Sequence, residues 1–110
     1  MAETFKANHV AITTSNQDIV PAVAASTQTI ALSIRATNVD GVNDATVDVQ
    51  VVDTGGSPTA YIAKTMSVPA DTSLELAGSS KIVLETGDKI QALASAASDV
   101  EIFVSYLEIT

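Results

Sequence analysis

The chain has 110 residues, the length of one domain, with no cysteine and a formal net charge of −8. Disulfides and thiolate metal sites are thereby excluded, and so few cations argue against phosphate backbones and anionic membranes as partners. The hydrophobic fraction is 46%, yet the chain has two Phe, two Tyr and no Trp, so Ala, Val and Ile must build a thin core of the kind two sheets close over at about 10 Å.

Residues Met1 to Lys6 lead into polar chain and do not read as a basic start followed by an apolar targeting stretch. Residues 1–8 are expected as an extended N-terminal arm preceding the sandwich. Val10, Ile12, Ile19 and Val20 then suggest two short strands around Ser15-Asn16-Gln17-Asp18. The run Pro21 to Ser26 has alanine enough for a helical turn, but it is too short and poorly capped for a helix.

From Thr29 the pattern is alternation. Ile30, Leu32, Ile34 and Ala36 alternate with Thr29, Ala31, Ser33 and Arg35, a period of two that predicts one buried and one mixed face. The turn residues of Asn38-Val39-Asp40-Gly41-Val42-Asn43-Asp44 follow, and then Val47, Val49 and Val51 alternate with Asp48 and Gln50. After the Gly55-Gly56-Ser57-Pro58 break, Tyr61 to Met66 reads as a strand. Val68-Pro69-Ala70-Asp71-Thr72 reads as a turn whose proline fixes its entry. Leu74 and Leu76 flank Glu75, Lys81 to Leu84 forms a short strand, and Ile90, Ala92 and Ala94 line one more. Finally Val100, Ile102, Val104 and Tyr106 alternate with Glu101, Phe103, Ser105, Leu107 and Ile109. The second of these faces must meet either another layer or a partner. About seven to nine strands with turn signals at short intervals predict a single all-β domain over residues 1–110, an antiparallel β-sandwich or jelly roll.

The chain offers little chemistry. His9 is the only histidine, and an imidazole without partners makes neither a triad nor a zinc site. Asn38, Asp40, Asn43 and Asp44 gather oxygen atoms within seven residues. Their spacing departs from a calcium loop, with glycine at the fourth place and no glutamate at the twelfth, so a plain turn is the favoured reading. Asp48 with Glu75, or Glu101 with Glu108, are carboxylate pairs such as any acidic β-protein contains, and the aromatic platforms of a glycosidase are missing. Gly55-Gly56 is followed by no lysine and is not a phosphate loop. No enzyme activity, cofactor or metal is expected.

Three stretches carry a resemblance: Val68-Pro69-Ala70-Asp71-Thr72-Ser73-Leu74-Glu75-Leu76, then Lys81 to Ala92 with Glu85-Thr86-Gly87-Asp88 at its centre, then Val100 to Ile109. Together they resemble small structural proteins of tailed bacteriophages. The resemblance covers about the last forty residues, while the first half matches only in its strand rhythm. It implies a β-sandwich on the virion, assembled in the bacterial cytoplasm, acting as a capsid decoration protein or as a neck or tail component. The implied partners are other virion proteins, the major capsid protein or neck and tail proteins, and a homo-oligomer with a trimer favoured; nucleic acid and membrane are not expected. Phe5, Phe103, Leu107 and Ile109 are the expected interface residues. A carbohydrate-binding module is the alternative of another class.

Overall fold

The computed structural model describes residues 2–53, 59–77 and 81–110. Within them the chain forms strands β1 (Glu3–Ile12), β2 (Gln17–Val20), β3 (Gln28–Asn38), β4 (Ala45–Val52), β5 (Thr59–Val68), β6 (Ser73–Glu75), β7 (Ile82–Leu84), β8 (Lys89–Ala94) and β9 (Val100–Ile109), and no helix. They make two antiparallel sheets. Sheet A has the order β1-β9-β3-β6, with β7 also paired to β3, and sheet B has the order β2-β8-β4-β5. The pairs β1/β9, β2/β8, β3 with β6 and β7, and β4/β5 are the rungs of one long antiparallel ribbon. The ribbon is rolled so that β9 also meets β3 and β8 also meets β4. This is the jelly-roll form of the β-sandwich, and the all-β expectation is met.

The core between the sheets is aliphatic. Ile12, Ile19, Ile34, Leu84, Ile90, Ile102, Val47, Val49, Val100 and Val104 are fully buried. Alanines lie beside larger cross-strand neighbours: Ala31 opposite Tyr106, Ala36 opposite Ile102, Ala92 opposite Val49 and Ala94 opposite Val47. Small against large at facing positions lets side chains interdigitate at native density without aromatic bulk. Tyr106 is the one buried aromatic residue among those described.

Strand β3 departs from simple alternation. Its ladder with β9 shifts between Ala31 and Ser33, which leaves Leu32 as the extra residue of a β-bulge. On one side of the bulge Thr29 and Ala31 are buried; on the other Ile34, Ala36 and Asn38 are. Ile30 therefore leaves the face it was expected to share with Ile34 and Ala36. The shift lies where β3 exchanges one edge partner for another, β7 along Thr29–Ala31 and β6 along Arg35–Thr37. The open backbone between these partners is satisfied locally. Glu75 Oε2 accepts the Ile34 N–H at 2.8 Å, and the Leu76 N–H donates to the Ile34 carbonyl at 2.7 Å.

Residues 3–8 are the first part of β1 and run in register with β9 rather than forming an arm. Their alternation is hard to read because both faces are exposed here, with polar Thr4 and Lys6 on one and Phe5 and Ala7 on the other. The alanine-rich segment after β2 forms no helical turn: the Val23 N–H bonds the Asp88 carbonyl, and the Gly87 N–H bonds the Val23 carbonyl. The Gly55-Gly56-Ser57-Pro58 break lies outside the described residues. Asp71, at φ 57°, takes the left-handed position of the turn after Pro69, which the Thr72 N–H closes onto the Pro69 carbonyl at 3.1 Å.

The bulge gives two isoleucines unequal weight. Ile34→Ala is expected to lower unfolding free energy by about 2–5 kcal/mol through the cavity it leaves. Ile30→Ala should cost about 1 kcal/mol or less, because that side chain is on the outer face. Urea melts of the two variants check this; equal costs would mean that the strand alternates without the bulge.

Candidate functional site: the outer face of sheet A

The two outer faces of the sandwich differ in kind. On sheet B, Gln91 pairs with Asp18 and Gln50 across the strands, and its amide donates to Asp18 at 2.9 Å. Lys89 reaches the same carboxylate at 3.6 Å. Nearby, Lys64 lies 3.5 Å from Asp48 and 4.7 Å from the centre of the Tyr61 ring. Asp48 and the Tyr61 ring, with some negative potential of its own, hold the Lys64 ammonium above its ordinary pKa. That is a solvated face.

On sheet A the antiparallel register sets side chains in rows across the strands. Glu3, Ile109 and Gln28 form the first row. Phe5, Leu107, Ile30 and Val83 form the second, one residue from each of β1, β9, β3 and β7. The third, Ala7, Ser105 and Ser33, is made of small side chains. The fourth runs His9, Phe103, Arg35 and Glu75. The second row is apolar from one side of the sheet to the other, and Phe5 is 76% exposed, Val83 64% and Phe103 48%. In the fourth row the His9 and Phe103 rings stack with centroids 6.5 Å apart and planes 5° from parallel. Two bulky rows thus flank a row of small residues. The patch is roughly 400 Å² in plan, taking strands about 4.8 Å apart and a rise of about 3.4 Å per residue.

All four residues expected at an interface, Phe5, Phe103, Leu107 and Ile109, belong to this face. The structure adds Ile30 and Val83. Ile30 was missed because the bulge reverses its parity; Val83 was missed because a three-residue strand shows too little alternation to assign a face. Within the chain no second layer covers the row among the described residues.

The groups weighed for chemistry have structural duties. The Asn38 amide, buried, donates to the carbonyls of Asn43 and Val68 at 2.9 Å each, and its oxygen accepts the Asp40 N–H at 2.9 Å. Asp40 accepts the N–H groups of Val42 at 2.8 Å and Asn43 at 3.2 Å, and Asp44 accepts that of Ala70 at 3.0 Å. These oxygens close turns, and no group of three or more His, Asp or Glu able to hold a metal occurs among the described residues. Asp48 and Glu75 lie on different sheets. Glu101 and Glu108 are seven apart on one strand and point to opposite faces. Glu108 holds Lys6 at 2.8 Å and, by that hydrogen bond and its charge, raises the lysine pKa.

The fold has a solved counterpart. The chain aligns over 99% of its length with 87% of a subunit of the Bacillus endospore appendages, described as a family of disulfide-linked pili, at 14% identity and a TM-score of 0.53. It also aligns with 31% of a chain from the structure of infectious bursal disease virus, Gt strain, over 99% of its own length, at 8% identity and a TM-score of 0.45. The first likeness establishes a shared fold. No known protein family matches the sequence, and neither does any curated protein.

The Asp40 turn gives a pH signature. The N–H groups of Val42 and Asn43, then the Asn43 amide, hold the Asp40 carboxyl below its ordinary value of 3.8. A folded-state value below the unfolded one adds stability that is complete above the unfolded pKa and lost as pH falls through the folded one. Asp40→Asn should therefore melt lower than the natural chain near neutral pH, with the gap closing in acid below about pH 4. A parallel acid decline in both proteins would refute this role.

Proposed function

We propose that this chain is a non-enzymatic structural subunit that docks on a particle through the outer face of sheet A. The second row, Phe5, Leu107, Ile30 and Val83, carries the reading. Water is kept from a contiguous apolar row only when a partner covers it, and such patches mark interaction sites. A partner also filling the small third row and touching Phe103 would cover about half of one side of a standard interface, which is about 800 Å² per partner. The resemblance of residues 68–109 to small phage structural proteins supports a tailed-phage virion as the particle. The major capsid protein is the proposed partner and decoration of the shell the proposed role. Docking of this kind acts through multiplicity, since a modest contact repeated over a shell adds up.

A tail or neck component is the second reading. It is favoured by the fold shared with an appendage subunit, which indicates that this jelly roll is compatible with polymers. Any such polymer of this chain forms without the disulfides of that neighbour, because the sequence has no cysteine.

Co-sedimentation with purified phage heads and, separately, with tails tests both readings. The natural chain is expected to pellet saturably with heads. Val83→Lys and Phe103→Lys should weaken that binding by about tenfold or more each. Both side chains are already exposed, so the melting temperature should hardly move. Binding to tails alone would select the second reading, and binding to neither, or binding indifferent to both variants, would remove the docking face.

A further inference from the structure

Among the described residues the sandwich has one unguarded edge. A free sheet edge presents a row of open N–H and C=O groups, and proteins blunt such edges with short strands, bulges, prolines or outward lysines. Three edges of this jelly roll are blunted. β2 has four residues and an irregularity between Asp18 and Val20. β5 is irregular at two places along β4, and Thr65 stands at φ 50°. β6 and β7 have three residues each. β1 differs: it is ten residues long, its ladder with β9 runs without a shift, and it contains neither proline nor glycine. Its single lysine, Lys6, is on the inner side and held by Glu108.

The register fixes which groups are open. Ala2 and Thr110 exchange both of their backbone hydrogen bonds, 3.0 and 2.9 Å. In a regular antiparallel ladder the hydrogen-bonded residues alternate, so Thr4, Lys6, Asn8, Val10 and Ile12 face β9. Glu3, Phe5, Ala7, His9 and Ala11 turn their N–H and C=O groups to the open side, and all five are exposed.

We infer that β1 pairs with the β1 of a second copy, antiparallel about a two-fold axis through Ala7. This register uses every open residue: Ala7 faces its own counterpart, Phe5 faces His9, and Glu3 faces Ala11. It is self-complementary, as an isologous contact must be. No like charges oppose one another, because Glu3 meets alanine and the inward Lys6 meets Asn8. The strand holds one acid and one base in a chain of net charge −8, so it is a neutral strip on an acidic protein. Across the axis the Phe5 of one copy extends the His9–Phe103 stack of the other, an aromatic pairing that a segment of arbitrary sequence would lack. The two copies of sheet A then form one continuous sheet, with both apolar rows on the same side. The pair is a dimer, where the sequence reading favoured a trimer.

The inference goes beyond the docking reading and is tested apart from it. Light scattering of the natural chain should show a concentration-dependent dimer with a dissociation constant of micromolar order, tightening as salt screens the acidic surfaces. Ala7→Pro removes one open-side donor and no bond to β9; it should raise the dissociation constant by about thirtyfold or more while the circular-dichroism melt stays cooperative. Ala7→Cys keeps the fold in question out of the result. Paired residues about 5.5 Å apart are within disulfide reach, so mild oxidation should cross-link this variant to a dimer far faster than Ala25→Cys on an exposed loop. A monomeric natural chain, a dimer unaffected by Ala7→Pro, or equal cross-linking of the two cysteine variants would each overturn the pairing. A chain that stays monomeric yet binds heads loses this inference and keeps the docking face; Val83→Lys, three strands from the edge, should weaken docking and leave the dimer intact.

Discussion

The β3–β9 ladder is the constraint on which the rest of the molecule depends. β9 stands between β1 and β3, so its parity decides which side chains of all three strands enter the core. Val100, Ile102, Val104 and Tyr106 face inward, and every row of the outer face passes through their alternates. β3 in turn carries both β6 and β7, and the bulge at Leu32 gives these two short strands different parities on one support. Without the extra residue Ile30 and Ile34 would share the core, and the second outer row would lose its third member. The Glu75 carboxylate at the Ile34 N–H occupies the gap between the two partners, where an unpaired buried amide would cost about 1–3 kcal/mol.

The contrast between the faces follows from where the sequence places its charges. Asp18, Asp48, Lys64 and Lys89 are drawn into short polar networks over sheet B. Exposed pairs of this kind stabilise little, and their main effect is to keep that face wet. On sheet A the charges stand at the ends: Glu3 in the first row, Arg35 and Glu75 in the fourth, Glu101 beyond. The centre is neutral. For a chain with an acid excess, a neutral centre is a place where another acidic surface approaches with little repulsion.

Much of the fold was legible because period-two alternation survives in β8, in β9 and along Ala45–Val49 of β4, each with one buried set made mostly of Val, Ile or Ala. Three of the four interface residues, Phe103, Leu107 and Ile109, were legible for the same reason in β9, where apolar side chains appear on both parities. What escaped was set by neighbours in space. The Leu32 bulge answers to β6 and β7, which lie some forty residues or more further along the chain, and no local pattern in Thr29–Ala36 announces it. The first half of β1 lacks a buried set, so nothing in residues 3–8 separated a strand from an arm; their place comes from pairing with a strand at the far end of the sequence. The cluster at Asn38–Asp44 read correctly as a turn, since Asx oxygens are at their most useful beside open N–H groups.

One parity links the two surfaces. In an antiparallel edge strand, the residues whose side chains stand on a given face also turn their backbone groups in a given direction, so the assignment of β1 decides both at once. Here Phe5, Ala7, His9 and Ala11 send side chains to the outer face of sheet A and N–H and C=O groups to the open edge. A slip of one residue in the β1–β9 ladder would bring Lys6 and Asn8 outward, break the Lys6–Glu108 pair and turn Phe5 toward the inner side. The face and the edge would both be lost. The ion pair is too exposed to add much stability, but it is made in one register only. Its value is in selecting that register, which keeps the apolar row and the open backbone of β1 together at one corner of the molecule.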